Sequence, residues 1–140
     1  MLKKLNSYMI FVCFLALGVS QIAYAQSVEE TWEHHIDAWE ARDIERIISD
    51  YNEESILILN NKIHKGLDDI KKVFLKLFQI FDNGINRIDP VTIEGRVIFI
   101  TWYFTPKGSS MEYFGTDTFI VEDSKISVQT IASPLYDSNL

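Results

Sequence analysis

Cysteine is all but missing from this sequence: the one instance in 140 residues is Cys13, inside an apolar run near the start. Beyond it there is no thiol, so the rest of the chain has no disulfide to staple it and must hold together by burial alone. Basic side chains are also short, 13 Lys and Arg against 20 Asp and Glu. That balance argues against nucleic acid and against anionic membrane as partners. Glycine and proline, 6 and 3 in number, are scattered rather than clustered, and no linker, internal repeat or low-complexity segment is visible. The apolar run of residues 9–19 falls short of the roughly 20 residues that span a bilayer.

What stands at the N-terminus is "MLKKLNSYMIFVCFLALGVSQIAYA": two lysines, the apolar run, then the small-residue site Ala23-Tyr24-Ala25. This is the pattern of a secretory signal peptide, with cleavage expected before Gln26 and export to the periplasm or the medium; an uncleaved anchor is the alternative. The residues before Cys13, "IFV", are not the small ones that precede a lipidated cysteine. Residues 1–25 are thus expected to be removed and residues 26–140 to form a single domain. Losing Lys3 and Lys4 takes the formal charge from −7 to −9. The remaining 115 residues suffice for one core, and their three tryptophans, seven phenylalanines and four tyrosines exclude a disordered chain.

Ser27 and Glu30 have capping-box spacing, and behind them Val28, Trp32, Ile36 and Trp39 recur at helical spacing. Asp43 caps a second, short helix with Ile44, Ile47, Ile48 and Tyr51 on one face. "SILILNNKIHKG" reads as two short strands about Asn60-Asn61. After Gly66, the carboxylates Asp68 and Asp69 favour a helix start, and Ile70, Val73, Phe74, Leu77, Phe78 and Phe81 make a wide apolar stripe. From Gly84 onward the pattern is strand: one broken at Pro90, then "RVIFITWYFTP", "MEYFGTDTFIVE" and "KISVQTIAS". Three helices around one short hairpin, followed by long antiparallel strands, predict an α+β fold with helices against one face of a curved sheet.

The strand "RVIFITWYFTP" is apolar on both faces, Ile98, Ile100, Trp102 and Phe104 alternating with Val97, Phe99, Thr101 and Tyr103. A solvent-facing sheet would have a polar side. So short a chain has no third layer, so a second copy is the simplest cover, which predicts a homodimer through the outer sheet face.

Several segments together resemble the nuclear transport factor 2-like superfamily, and within it the SnoaL-like and ketosteroid isomerase-like small proteins. They are Ala41-Arg42-Asp43 before the second helix, Tyr51-Asn52-Glu53-Glu54 before the first strand, Gly66 and Ile70 opening the third helix, and the last hairpin with Lys125-Ile126. The resemblance implies a cone: a strongly bent mixed sheet around three helices, with a pocket at the open end and commonly a dimer across the outer face.

Alternation puts Tyr113, Gly115, Asp117, Phe119 and Val121 on one face of their strand, so Asp117 points inward with Phe119. A carboxyl there is either desolvated, with a raised pKa, or held ionised by a donor. The resemblance implies that Asp117 matches the protonated acid of ketosteroid isomerases, that His35 falls where those enzymes have a tyrosine donor, and that Leu59 replaces their general base. A leucine takes no proton, so that isomerase reaction is not carried over. His35, between Trp32 and Trp39 on helix 1, is either an acid–base partner bonded to Asp117 across the pocket or a buried imidazole satisfied by a neighbour. His34 is expected to be solvated and His64 to lie at a rim. The three histidines have no zinc spacing, and no metal or cofactor is expected.

The candidate catalytic residues are therefore Asp117 and His35. The candidate ligand-binding residues are Trp32, Tyr51, Trp102, Asp117, Phe119 and Gln129, the last turned inward by parity beside Asp117. Three functions fit: binding of a small, mostly apolar ligand in the cone; a proton-transfer enzyme such as an isomerase, dehydratase or cyclase; or a dimeric interaction scaffold.

Overall fold

The computed structural model describes residues 26–136, so the expected signal segment, residues 1–25, lies outside the described residues. Helix α1 (Val28–Glu40) begins with the capping box that its sequence announces, Ser27 Oγ accepting from the Glu30 amide and Glu30 accepting from the Ser27 amide. Helix α2 (Ile44–Ser49) is capped by Asp43, whose side chain accepts from the Arg46 amide. The hairpin β1 (Ile56–Leu59) and β2 (Lys62–Lys65) leads into α3 (Leu67–Phe81). Gly66 makes that junction at φ 79°, a left-handed conformation that suits glycine. All six residues of the predicted α3 stripe are buried.

Strands β3 (Gly84–Ile88), β4 (Thr92–Glu94), β5 (Val97–Pro106), β6 (Tyr113–Glu122) and β7 (Lys125–Ala132) follow, then a 3₁₀ turn, Pro134–Tyr136. Breaking the strand at Pro90 yields β3 and β4, both paired with β5. The sheet runs β2-β1-β7-β6-β5-β3. Every pairing is antiparallel except β1 with β7, which is parallel and makes the sheet mixed. It is curved but not closed, with the helices inside the curve. Among the described residues no helix is long and apolar enough to cross a membrane.

On β5 the buried set is Ile98, Ile100, Trp102 and Phe104, while Val97 and Phe99 are over a third exposed on the other face. On β7 plain alternation fails near the start. Ile120 and Val121 face Val128 and Ile126, which leaves Ser127 as an extra residue. This bulge shifts the parity, so Ile126 is buried at one end and Gln129 and Ile131 at the other. Gln129 thereby arrives on the concave face beside Asp117.

Candidate functional site

Asp117 lies mid-strand on β6, opposite Ile100 on β5 and Ile131 on β7. It is 8 % exposed. Both carboxyl oxygens are occupied: Trp102 Nε1 donates to Oδ1 at 2.8 Å and Gln129 Nε2 donates to Oδ2 at 2.9 Å. The far end of the Gln129 amide accepts from the Tyr51 hydroxyl at 2.5 Å. A chain Tyr51–Gln129–Asp117–Trp102 thus fixes which end of the amide faces the acid. Burial pushes the Asp117 carboxyl up to about 6, against the pull of the Trp102 and Gln129 donors. Burial also raises the Tyr51 hydroxyl well above its ordinary range, the charges of Asp50 and Asp117 adding to the effect, so it remains a phenol able to donate.

The Trp102 indole reaches Asp117 because Gly115 lies beneath it. A Cβ at Gly115 would stand 2.0 Å from the Trp102 ring, well inside contact distance, so only glycine admits that ring position. Phe81 and Tyr136 pack on the indole, with centroids 5.3 and 6.0 Å away.

Asp117, Trp102, Gln129, Phe119, Trp32 and His35 all line one cavity between the helices and the concave face of the sheet, with Asn86, Tyr136, three further aromatic rings and aliphatic side chains completing the wall. It is partly open and has a volume of about 50 Å³, small beside the roughly 300–1,000 Å³ of drug-sized sites. It is also about a third of the roughly 150 Å³ that admits a benzene ring, so a ring enters from the open side only as wall side chains give way.

Of the two alternatives for His35 the structure has the second, a buried imidazole satisfied by a neighbour: its Nδ1 is held by Asp50 Oδ2 at 2.9 Å and it does not bond Asp117. Two expectations need correcting. Tyr51 is not a wall of the cavity; it stands behind Gln129, its ring against His35 and Phe74. The second correction concerns His34, which is half-buried with Nδ1 2.6 Å from Asp50 Oδ1. Successive residues on a helix point about 100° apart; both imidazoles meet one carboxylate because Asp50, the C-cap of α2, sits between their two directions. His35 is enclosed by Tyr51, Phe74 and Phe119 at 5.4–5.8 Å. With Nδ1 on Asp50, Nε2 is the ring nitrogen left for another partner.

Leu59 is buried on β1 and is not part of the cavity wall, and His64 lies away from it on the edge strand β2. Burial lowers the His64 pKa, Asp69 opposing this. Among the described residues no three His, Cys, Asp or Glu side chains gather as a metal centre requires.

Residues 32–129 match the SnoaL-like domain family. No curated protein matches the chain. Among solved structures, the chain is similar to a candidate SnoaL-like polyketide cyclase from Jannaschia, at 18% identity and TM-score 0.65 over 78% of this chain and 86% of that one. It is also similar to a nuclear transport factor 2-like protein of unknown function from Cytophaga hutchinsonii, at 11% identity and TM-score 0.63 over 79% and 96%. A de novo designed protein with a curved β-sheet gives 14% identity and TM-score 0.66 over 79% and 88%. At such identities the likeness is one of fold.

Proposed function

The chain belongs to the SnoaL-like domain family, and on that premise we propose that it is an exported small-molecule-binding protein whose cone holds a small, mostly apolar ligand by a polar group set against Asp117. The observation that carries this reading is a buried acid on the wall of a partly open apolar cavity, gripped only by the neutral donors Trp102 and Gln129. An acid serving the fold alone would gain more from a cationic partner. Above its midpoint of about 6, Asp117 is an acceptor with lone pairs left for a ligand O–H or N–H. Below it, Asp117 becomes a donor. Export is supported by the lysines, apolar run and Ala-Tyr-Ala site of residues 1–25.

Native mass spectrometry of the protein purified from its own envelope tests the binding reading. A small molecule carried by the wild type and lost from Asp117→Leu is the expected result; an empty cone in both proteins counts against it.

Homodimerisation through the convex face of the sheet belongs to the same proposal. Support comes from Val97, Phe99 and Phe114, exposed by 38, 39 and 45 % on that face. Phe99→Lys is expected to yield monomers in sedimentation, and an unchanged profile removes the dimer.

A second reading is favoured by the Asp50–His35 pair. A carboxylate that orients an imidazole, whose ring borders the same cavity as Asp117, is an arrangement for proton transfer with His35 as base and Asp117 as acid. Deuterium uptake from heavy water into the retained molecule would select this reading; retention without exchange selects binding.

A further inference from the structure

Besides the His35 and Tyr136 rings, the cavity wall carries one polar side chain that the Asp117 chain does not use. Asn86 lies on β3, its side chain lines the cavity, and its Oδ1 is fully buried without a hydrogen-bond partner. It is the only such atom among the described residues. An unpaired buried acceptor costs about 1–3 kcal/mol, so a leucine of similar volume would suit the fold better there. Nothing in the fold calls for the amide, since β3 is held by its backbone pairing with β5, where Asn86 stands opposite Phe104.

The position of Asn86 says what it could meet. Its partner Phe104 is four residues along β5 from Ile100, and Ile100 pairs with Asp117. On a flat sheet four residues along and two strands across amount to roughly 16 Å between Cα atoms. Both side chains line the one cavity on the concave side, so their polar tips lie closer together than their Cα atoms. Between the two lie Trp102, Ile88 and Ile100, which offer only apolar surface and an indole N–H already given to Asp117. Along the sheet the wall is therefore polar at Asn86 and at Asp117 and apolar between them, with His35 on the helix side and Tyr136 beside Trp102 as its other polar groups.

We propose that Asn86 is a second ligand-binding residue, its Oδ1 accepting from a hydrogen-bond donor at the end of the ligand remote from Asp117. The ligand class is thereby narrowed to small ring or short-chain molecules with an O–H or N–H at each end. This rests on the reading of the cone as a ligand site, and it adds the specificity determinant that separates a two-donor molecule from its one-donor isostere. A site built to bond a hydroxyl discriminates against the analogue lacking it, because the site's buried group is then left unpaired.

The test uses two probes of equal heavy-atom count, 4-ethylphenol and 4-hydroxybenzyl alcohol, titrated by tryptophan fluorescence above the Asp117 midpoint. The proteins are wild type, Asn86→Leu and Asp117→Leu. The affinity ratio of the alcohol to the ethyl compound is expected to fall about tenfold from wild type to Asn86→Leu, the scale of one hydrogen bond in a dry site. Affinity for 4-ethylphenol should be the same in both. Chemical unfolding gives the second readout: Asn86→Leu should be as stable as wild type or more so. An unchanged affinity ratio overturns the inference, as does a destabilised Asn86→Leu, which would give the amide a structural role. If neither phenol binds wild type, or Asp117→Leu binds both equally well, the reading of the cone itself fails and Asn86 falls with it. An altered ratio that keeps the Asp117 dependence supports both.

Discussion

Two aspartates are buried in this small core, both close enough for their charges to act on the Tyr51 hydroxyl, and the company they keep differs. Asp50, 4 % exposed at the end of α2, is gripped by two imidazoles from successive residues of α1. Asp117, 8 % exposed in the middle of β6, has an indole and an amide. The first set of partners can take up a proton and balance a carboxylate. The second cannot, so burial acts on the acid itself and lifts its midpoint into the physiological range. Asp50 ties α1 to α2 and is not part of the cavity wall, whereas Asp117 lies on it. A carboxylate with partners able to neutralise it is suited to holding helices together, and one left with neutral donors at a cavity is suited to meeting something that enters.

The contrast is most strongly broken at Asp50. Asp50→Ala leaves two imidazoles without their acceptor, and removing one member of a buried polar cluster costs about 3–5 kcal/mol. Urea unfolding is expected to show a loss of that order at neutral pH with the Asp117 end of the cone unchanged in the residual folded fraction. A loss under about 1 kcal/mol, the scale of an exposed pair, would mean that the cluster is solvated and that the two aspartates do not differ as described.

Asp117 gives a smaller effect with a distinctive pH dependence. Its folded-state midpoint of about 6 stands above the ordinary 3.8, so between those values the folded chain binds more protons than the unfolded one. Stability is then greatest below the lower value, falls by about 3 kcal/mol in all as pH rises through the upper one, and is flat beyond it. Asp117→Asn is expected to remove that slope, as read from urea midpoints across the acid range. A slope that survives the substitution assigns the proton to another group.

Gly115→Ala separates the two aspartates with the smallest effect. The new methyl group must push the Trp102 ring aside, an overpacking cost of about 1–3 kcal/mol, and it breaks the indole's bond to Asp117 while leaving Asp50 untouched. A lowered thermal midpoint together with a raised Asp117 midpoint is the expected pair of observations. A wild-type Asp117 midpoint would show that the indole does not hold the acid.

Much of the Asp117 site is legible in the sequence, because strand parity alone turns Asp117, Phe119 and Trp102 to one side. The rest depends on contacts that parity does not carry. Asp50 meets His34 and His35 only because α2 folds back along α1, and no periodicity in either helix encodes that crossing. Tyr51 shares the apolar face of its neighbours, but its hydroxyl passes behind the wall to Gln129. Gly115 does leave a legible signal, a lone glycine inside a strongly apolar strand, which often marks close approach by another group. Asn86 is hidden by its neighbours: Ile85, which looks like the core residue, is 75 % exposed, while the asparagine takes the inward side with Ile88. The cone itself is more fully readable, since the six-residue stripe of α3 and the two-sided β5 each have one sensible place in a helix-lined sheet. The parallel pairing of β1 with β7 is not, because it joins the two ends of the domain.

Whether Asp117 meets a ligand or serves the core is decided by its carboxyl titration followed by NMR, with and without saturating 4-ethylphenol. In the free protein the midpoint should lie near 6, and it should fall on saturation, because a phenolic O–H donating to the carboxylate favours its ionised form. By linkage the phenol then binds more tightly above that midpoint than below it. A midpoint that stays in place under saturating phenol would return Asp117 to the core.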